Sequence, residues 1–121
     1  MAEFNASTKD LGEVSVIYLQ GYLDAHTAPS LENTFSNLIE KGKYCTVVNF
    51  TELAYISSAG LGVFMAFIEK MRENNGDIKL SSMSDKVYNI FDLLGFPLLY
   101  EIYKTEDEAV NKFIESKNLE K

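Results

Sequence analysis

The run Tyr44-Cys45-Thr46-Val47-Val48-Asn49-Phe50 constrains this chain more than any other segment. It is short and almost continuously apolar, the pattern of a strand buried on both faces, and such a strand needs cover above and below its sheet. Helical patterns flank it. Thr27-Ala28-Pro29 reads as a helix start, with Thr27 as cap and proline in the first turn. Leu31, Phe35, Leu38 and Ile39 then recur at i, i+4, i+7 and i+8, one helical face, and Lys41-Gly42-Lys43 closes it. After the apolar run, residues 51–58 read as a loop, and a helix is predicted from about 59 to 75, stopped by Asn74-Asn75-Gly76.

The alternation continues to the end of the chain. Residues 77–82 read as a strand. Ser84 caps a helix carrying Val87, Ile90, Phe91 and Leu94, with Gly95 where a left-handed C-cap belongs and Pro97 behind it. Leu98 to Tyr103 reads as a strand, and Thr105-Glu106-Asp107-Glu108 as a capping box opening a last helix with Ala109, Val110, Phe113 and Ile114. Upstream, Glu13 to Gln20 is β-branched and aromatic, a strand that Gly21 is expected to end. Residues 3–8 are expected to pair with it through the Asp10-Leu11-Gly12 turn.

The resulting order, ββαβαβαβα, predicts an α/β fold with a mixed four- to five-stranded sheet and about four helices. The first two strands lie too close in sequence for a crossover, so that pair is antiparallel. At 121 residues the chain reads as one domain over 1–121, with a polar tail over 115–121 expected to fray. Apolar residues at 46% and charged residues at 24% exclude a disordered or collagen-like chain.

Charge removes further classes. With 18 acidic and 11 basic side chains the net charge is −7, and no Lys/Arg cluster answers a phosphate backbone, so nucleic acid is not an expected partner. Anionic membrane surfaces repel such a chain as well, and no apolar run approaches the ~20 residues a span requires. The start, Met1-Ala2-Glu3-Phe4-Asn5, lacks the pattern of a signal peptide, which makes the cytoplasm the expected location. The single cysteine, Cys45, reads as a buried structural thiol. One cysteine and one histidine, His26, do not make a zinc site, and neither a metal nor a cofactor is expected.

Tyr55-Ile56-Ser57-Ser58-Ala59-Gly60-Leu61-Gly62 differs from its surroundings. It puts two hydroxyls at a helix start beyond the carboxyl end of a buried strand, the edge where ligands gather in open α/β sheets. A helix start offers free N–H groups and the positive end of the dipole, which suit a phosphate. Ser57 or Ser58 can equally be an ordinary N-cap. Gly60 and Gly62 weaken the first turn by ~1 kcal/mol each relative to alanine, and a surface cleared of side chains lets another molecule approach Ser58. Leu61, Phe64, Met65 and Ile68 form one apolar face of the helix, and Val63, Phe67 and Met71 a second stripe beside it. Together they span roughly 200°, against the ~100° a core-facing helix needs. Either neighbouring helices cover both stripes, or Val63 and Phe67 stay partly open beside Ser58 as a docking surface.

Ser57-Ser58-Ala59-Gly60-Leu61-Gly62 resembles the phosphorylation segment of bacterial anti-sigma factor antagonists, the STAS-domain proteins. Their common form is Asp-Ser-[Ser/Thr]-Gly-Leu-Gly, with Ser-Ser-Ala-Gly-Leu in many members. Gly21-Tyr22-Leu23-Asp24 followed by Thr27-Ala28-Pro29 is similar to the family's Gly-x-Leu-Asp segment, and Phe91-Asp92-Leu93-Leu94-Gly95-Phe96 matches as well. The resemblance covers nearly the whole chain. It implies a non-enzymatic partner switch in bacterial transcription regulation. The unphosphorylated domain binds an anti-sigma factor that is itself a serine kinase, phosphorylation releases it, and a phosphoserine phosphatase restores binding. By position the acceptor is Ser58. The family's usual acid is replaced by Ser57, which makes Ser57 the alternate acceptor. The implied contact surface comprises Ser57, Gly60, Leu61, Gly62, Val63 and Phe67, with Asp24 and Thr27 at its edge. Asp24 either shapes that edge or stabilises its own turn as an Asx residue. A monomer or weak dimer is expected.

Enzyme readings fare worse. A serine hydrolase needs a Gly-x-Ser-x-Gly elbow and a histidine base, and the serine is preceded at two positions by Ile56. No Gly-Lys-Ser/Thr follows the glycines as a phosphate loop requires. The rival within the same fold is a STAS module that regulates chemotaxis, secretion or a signalling complex, or that binds a small ligand; a pocket lined by Asp24 and His26 would favour the last.

Overall fold

The computed structural model describes residues 4–117. Ten elements follow in the predicted order: β1 (Asn5–Asp10), β2 (Val14–Leu23), α1 (Ala28–Glu40), β3 (Cys45–Ile56), α2 (Ser58–Glu73), β4 (Asp77–Ser81), α3 (Asp85–Leu93), a 3₁₀ turn over Phe96–Leu98, β5 (Ile102–Tyr103) and α4 (Glu106–Ser116). The strands form one sheet in the order β1-β2-β3-β4-β5. β1 pairs antiparallel with β2, and every other pairing is parallel.

Alternation along the strands divides the core in two. Ile17 and Leu19 of β2, Val48 and Phe50 of β3, and Ile78 and Leu80 of β4 face α1, α2 and α3. There Phe35, Phe50, Phe64 and Phe91 meet ring to ring, with centroids 5.4–6.2 Å apart. Val14, Val16, Cys45 and Val47 face the other way and are covered by Ala109 and Phe113 of α4. Cys45 is buried there and free, and burial pushes its thiol pKa up, in keeping with a structural role. The central strand is thus roofed on both sides, as its apolar run requires.

Four boundaries differ from the sequence reading. β1 runs on to Asp10 instead of ending at 8, because Lys9 and Asp10 pair with Val16 and Ser15. Gly21 does not end β2; it lies inside the strand at φ +92°, where the register against β3 shifts. The extra residue there is Ala54 of β3, and pairing resumes at Tyr22 and Tyr55, so the ladder continues past the bulge. β3 does not stop at Phe50 but runs on to Ile56, because Gly21, Tyr22 and Leu23 pair with Leu53, Tyr55 and Ile56. The stretch Leu98–Tyr103 keeps only two strand residues, since Pro97 holds the chain in a 3₁₀ turn. At the C-terminus, residues 115–116 continue α4 and Lys117 is its C-cap, while 118–121 of the expected frayed tail lie outside the described residues, as do residues 1–3.

A charged cluster locks α4 to the sheet edge. Lys79, buried on β4, bonds Glu101 at 2.8 Å and Asp77 at 3.4 Å and lies 4.7 Å from the centre of the Phe113 ring. Hydrogen bonds from the Lys79 ammonium and the Tyr103 hydroxyl hold the Glu101 carboxyl below its ordinary 4.5. A depressed carboxylate stabilises the fold above its unfolded pKa and loses that contribution as the pH falls through the folded value. Urea midpoints measured between pH 5 and pH 3 should therefore drop less steeply in Glu101→Gln than in the parent. Equal slopes would show that the cluster does not contribute to acid sensitivity.

Candidate functional site

Strands β2 and β3 end together at the carboxyl edge of the sheet, and the backbone ties their exits. The Ser57 N–H donates to the Leu23 carbonyl at 2.9 Å, fixing the β3–α2 junction beside the β2–α1 turn. Ser57 is the N-cap of α2, with extended backbone, and its hydroxyl accepts from the Gly60 N–H at 3.5 Å. Ser58 is the first residue of the helix and is exposed. Its hydroxyl has no protein partner among the described residues. The two serines therefore divide the roles left open by the sequence: Ser57 caps, and Ser58 stands free.

The first turn of α2 carries no acidic residue. By contrast, α3 begins with Asp85, and α4 with Glu106, Asp107 and Glu108. Carboxylates there compensate the positive end of the dipole. At Ser58 that compensation is missing, so an anion bonded to its oxygen meets free amide N–H groups and no like charge in the turn.

The β2–α1 turn holds itself together. Asp24 Oδ1 accepts from the N–H groups of His26 and Thr27 at 2.9 and 3.1 Å, an Asx turn. Thr27 occupies the N-cap position of α1, but its hydroxyl does not cap; it donates to the Tyr22 carbonyl at 2.8 Å and accepts from the Asp24 N–H. Asp24 and Thr27 thus share the sheet edge with Ser58, and the Asp24 carboxylate is engaged inside its own turn. A cavity of about 770 Å³ at the far end of the sheet is lined by neither Asp24 nor His26.

The expected contact surface is corrected in part. Leu61 and Val63 are each only 4% exposed and belong to the core, so the second stripe is covered by neighbours at Val63 and at Met71. Phe67 is half-buried and stacks on Phe35 at 5.2 Å. Gly60 is buried too, and its lack of a side chain serves the interior: a Cβ there would sit 2.7 Å from Leu23 Cγ and 3.1 Å from Ile56 Cγ1. Gly62 is the open glycine, with nothing within 4 Å of a built Cβ. The free face of α2 is instead Ser58, Ala59, Gly62, Met65 and Ala66, with Met65 49% exposed. The sequence places Ser58 and Gly62 in the expected contact surface but puts Met65 with the core-facing stripe and leaves out Ala59 and Ala66, because the apolar pattern weights large side chains. The signal was there in small residues at 59, 62 and 66, the i, i+3, i+7 spacing opposite Leu61, Phe64 and Ile68. Sequence reasoning also missed Tyr22 and Tyr55, exposed ring partners 5.9 Å apart at the end of the β2–β3 ladder, because residues 51–58 read as a loop.

The two glycines should respond oppositely to alanine. Gly60→Ala gains helix propensity worth about 1 kcal/mol but overpacks a filled site, which costs about 1–3 kcal/mol. Gly62→Ala gains the propensity alone. Urea unfolding should therefore show Gly60→Ala destabilised by about 1 kcal/mol and Gly62→Ala stabilised by several tenths or more. Two shifts of the same sign would contradict the packing described.

The result is an α/β domain with a mixed sheet, an exposed serine at the first position of its second helix and a tied β2–α1 turn beside it. The chain belongs to the STAS domain family, whose model matches residues 5–109. Among curated relatives, the anti-sigma-B factor antagonist of Listeria monocytogenes is 29% identical over 92 residues, covering 76% of this chain and 81% of that protein. Among solved structures, an anti-sigma factor antagonist from Mycobacterium paratuberculosis superposes with a TM-score of 0.83 at 23% identity, over 91% of this chain and 93% of the other. The Bacillus cell fate determinant SpoIIAA in its phosphorylated form gives 0.71 at 23% identity, over 90% and 99%. These two likenesses speak to the fold. No helix among the described residues is long and apolar enough to cross a membrane.

Proposed function

We propose that the chain is an anti-sigma factor antagonist whose binding is switched by phosphorylation of Ser58. The observation that carries this is the exposed, unpartnered Ser58 hydroxyl at a helix start free of acid, continuous with the outward face Ala59-Gly62-Met65-Ala66. Unmodified, that face meets the anti-sigma factor. The Ser58 oxygen attacks the γ-phosphorus of ATP held by the anti-sigma factor acting as serine kinase. The bond to the ADP oxygen breaks, and the hydroxyl proton passes to a base of the kinase. The product carries about −1.5 to −2 charges at the centre of the contact, and like charge or desolvation then ejects the partner. Hydrolysis by a phosphoserine phosphatase returns the hydroxyl and releases inorganic phosphate. The domain is the substrate in both steps and supplies no catalyst of its own.

Ser57 is the weaker acceptor in this reading, because its oxygen already accepts from Gly60. Incubation with the cognate kinase and ATP, followed by peptide mapping in a mass spectrometer, should place phosphate on Ser58. The modification should persist in Ser57→Ala and vanish in Ser58→Ala. Phosphate on neither serine would remove the switch.

A further inference from the structure

The far end of the sheet, opposite the Ser58 edge, holds a cavity of about 770 Å³ between the β1–β2 turn, the α1–β3 loop and the last turns of α4. Its volume lies within the ~300–1,000 Å³ of small-molecule sites. Val14 and Cys45 at the strand starts and Val110 and Ile114 of α4 give it an apolar floor. Burial pushes the Cys45 thiol up, so the floor carries no negative charge near neutral pH.

The rim has the opposite character. Among the described residues, Lys41, Lys43 and Lys117 line this cavity, and Glu13 is the acidic side chain that does. Counting Asp10, which lies beside Lys43, three cations face two carboxylates here, on a molecule of net charge −7. Two of the lysines brace the mouth. Lys43 Nζ donates to the Gly12 carbonyl at 2.9 Å and lies 3.6 Å from Asp10. Lys117 Nζ donates to the Asn75 carbonyl. Lys41 is exposed and makes no ion pair among the described residues.

We propose that this cavity binds a small amphiphilic anion, a carboxylate or phosphate carried on an apolar body, with the head group at Lys41 and the body on the Val14–Cys45–Val110–Ile114 floor. The apolar floor alone would accept any hydrophobe, and the lysines alone any anion; their juxtaposition selects a ligand with both parts. The inference stands apart from the Ser58 reading, since neither the residues nor the sheet edge are shared.

The test uses the full chain and methyl NMR of Val14, Val110 and Ile114, with decanoate, decyl phosphate, decanol and inorganic phosphate as probes below their aggregation limits. Saturable methyl shifts with decanoate, decyl phosphate or both are expected, and which of them binds tighter assigns the head group. Lys41→Glu, at an exposed position, should weaken binding about fivefold, and Glu13→Gln should tighten it about twofold, as charges near a solvated rim do. Four results would overturn the proposal: no saturation by either amphiphile into the millimolar range, decanol binding equally well, inorganic phosphate binding equally well, or an affinity indifferent to Lys41→Glu.

Discussion

Phe64→Ala is expected to lower the unfolding free energy by about 3–5 kcal/mol. Phe64 is fully buried, and its ring meets Phe35 at 5.9 Å and 81°, Phe50 at 5.8 Å and Phe91 at 6.2 Å. Three aromatic neighbours anchored on α1, β3 and α3 cannot all move inward, so the truncated site stays partly empty, and an uncollapsed cavity adds to the lost transfer energy. A domain of this size has about 5–15 kcal/mol in total, so the variant should melt roughly 10–20 °C lower by calorimetry. Met65→Ala, on the outer face of the same helix, should shift stability by less than about 1 kcal/mol. A Phe64 variant within about 1 kcal/mol of the parent would mean that the aromatic cluster does not fasten α2 to the sheet.

Ser58→Glu is expected to do the reverse: to leave the fold intact and weaken binding to the anti-sigma partner on the order of 100-fold. A carboxylate at the first helical position is favoured by the dipole by about 0.3–1 kcal/mol, and no first-turn acid opposes it. The melting temperature should therefore hold or rise slightly. In the proposed complex the same charge would sit at the contact, where an unpaired buried charge costs about 2–5 kcal/mol, or roughly 30- to 5,000-fold. Ser58→Ala should bind as the unmodified chain does and should resist release by ATP. Titration calorimetry with the purified partner separates the outcomes. Equal affinity of the glutamate and alanine variants would refute the electrostatic argument, and a large fall in melting temperature would mean that Ser58 is structural.

Much of this architecture is legible in the residues. The buried run at 44–50, the amphipathic faces and the caps at Ser84, Gly95 and Thr105 fix the element order because each rests on local chemistry that tertiary context does not reverse. The errors lie where distant pairing decides. Gly21 looks like a stop, yet a parallel partner extends the ladder through it, and 51–56 become strand only because β2 lies alongside. The site divides similarly. Spacing places Ser57 and Ser58 at a helix start, but which of them caps depends on where the Gly60 N–H points. Gly60 and Gly62 are indistinguishable as letters. One faces Leu23 and Ile56 and the other faces open space, a difference set by the docking of α2 on the sheet.

The margins of the sheet carry a consequence for traffic with other molecules. One border, β5, is two residues long; the other, β1, is the polar run Asn-Ala-Ser-Thr-Lys-Asp. Brevity and charge both discourage a foreign chain from zipping on. Lateral growth into fibrils is thereby blunted, and visitors are steered toward the two rims where the loops gather.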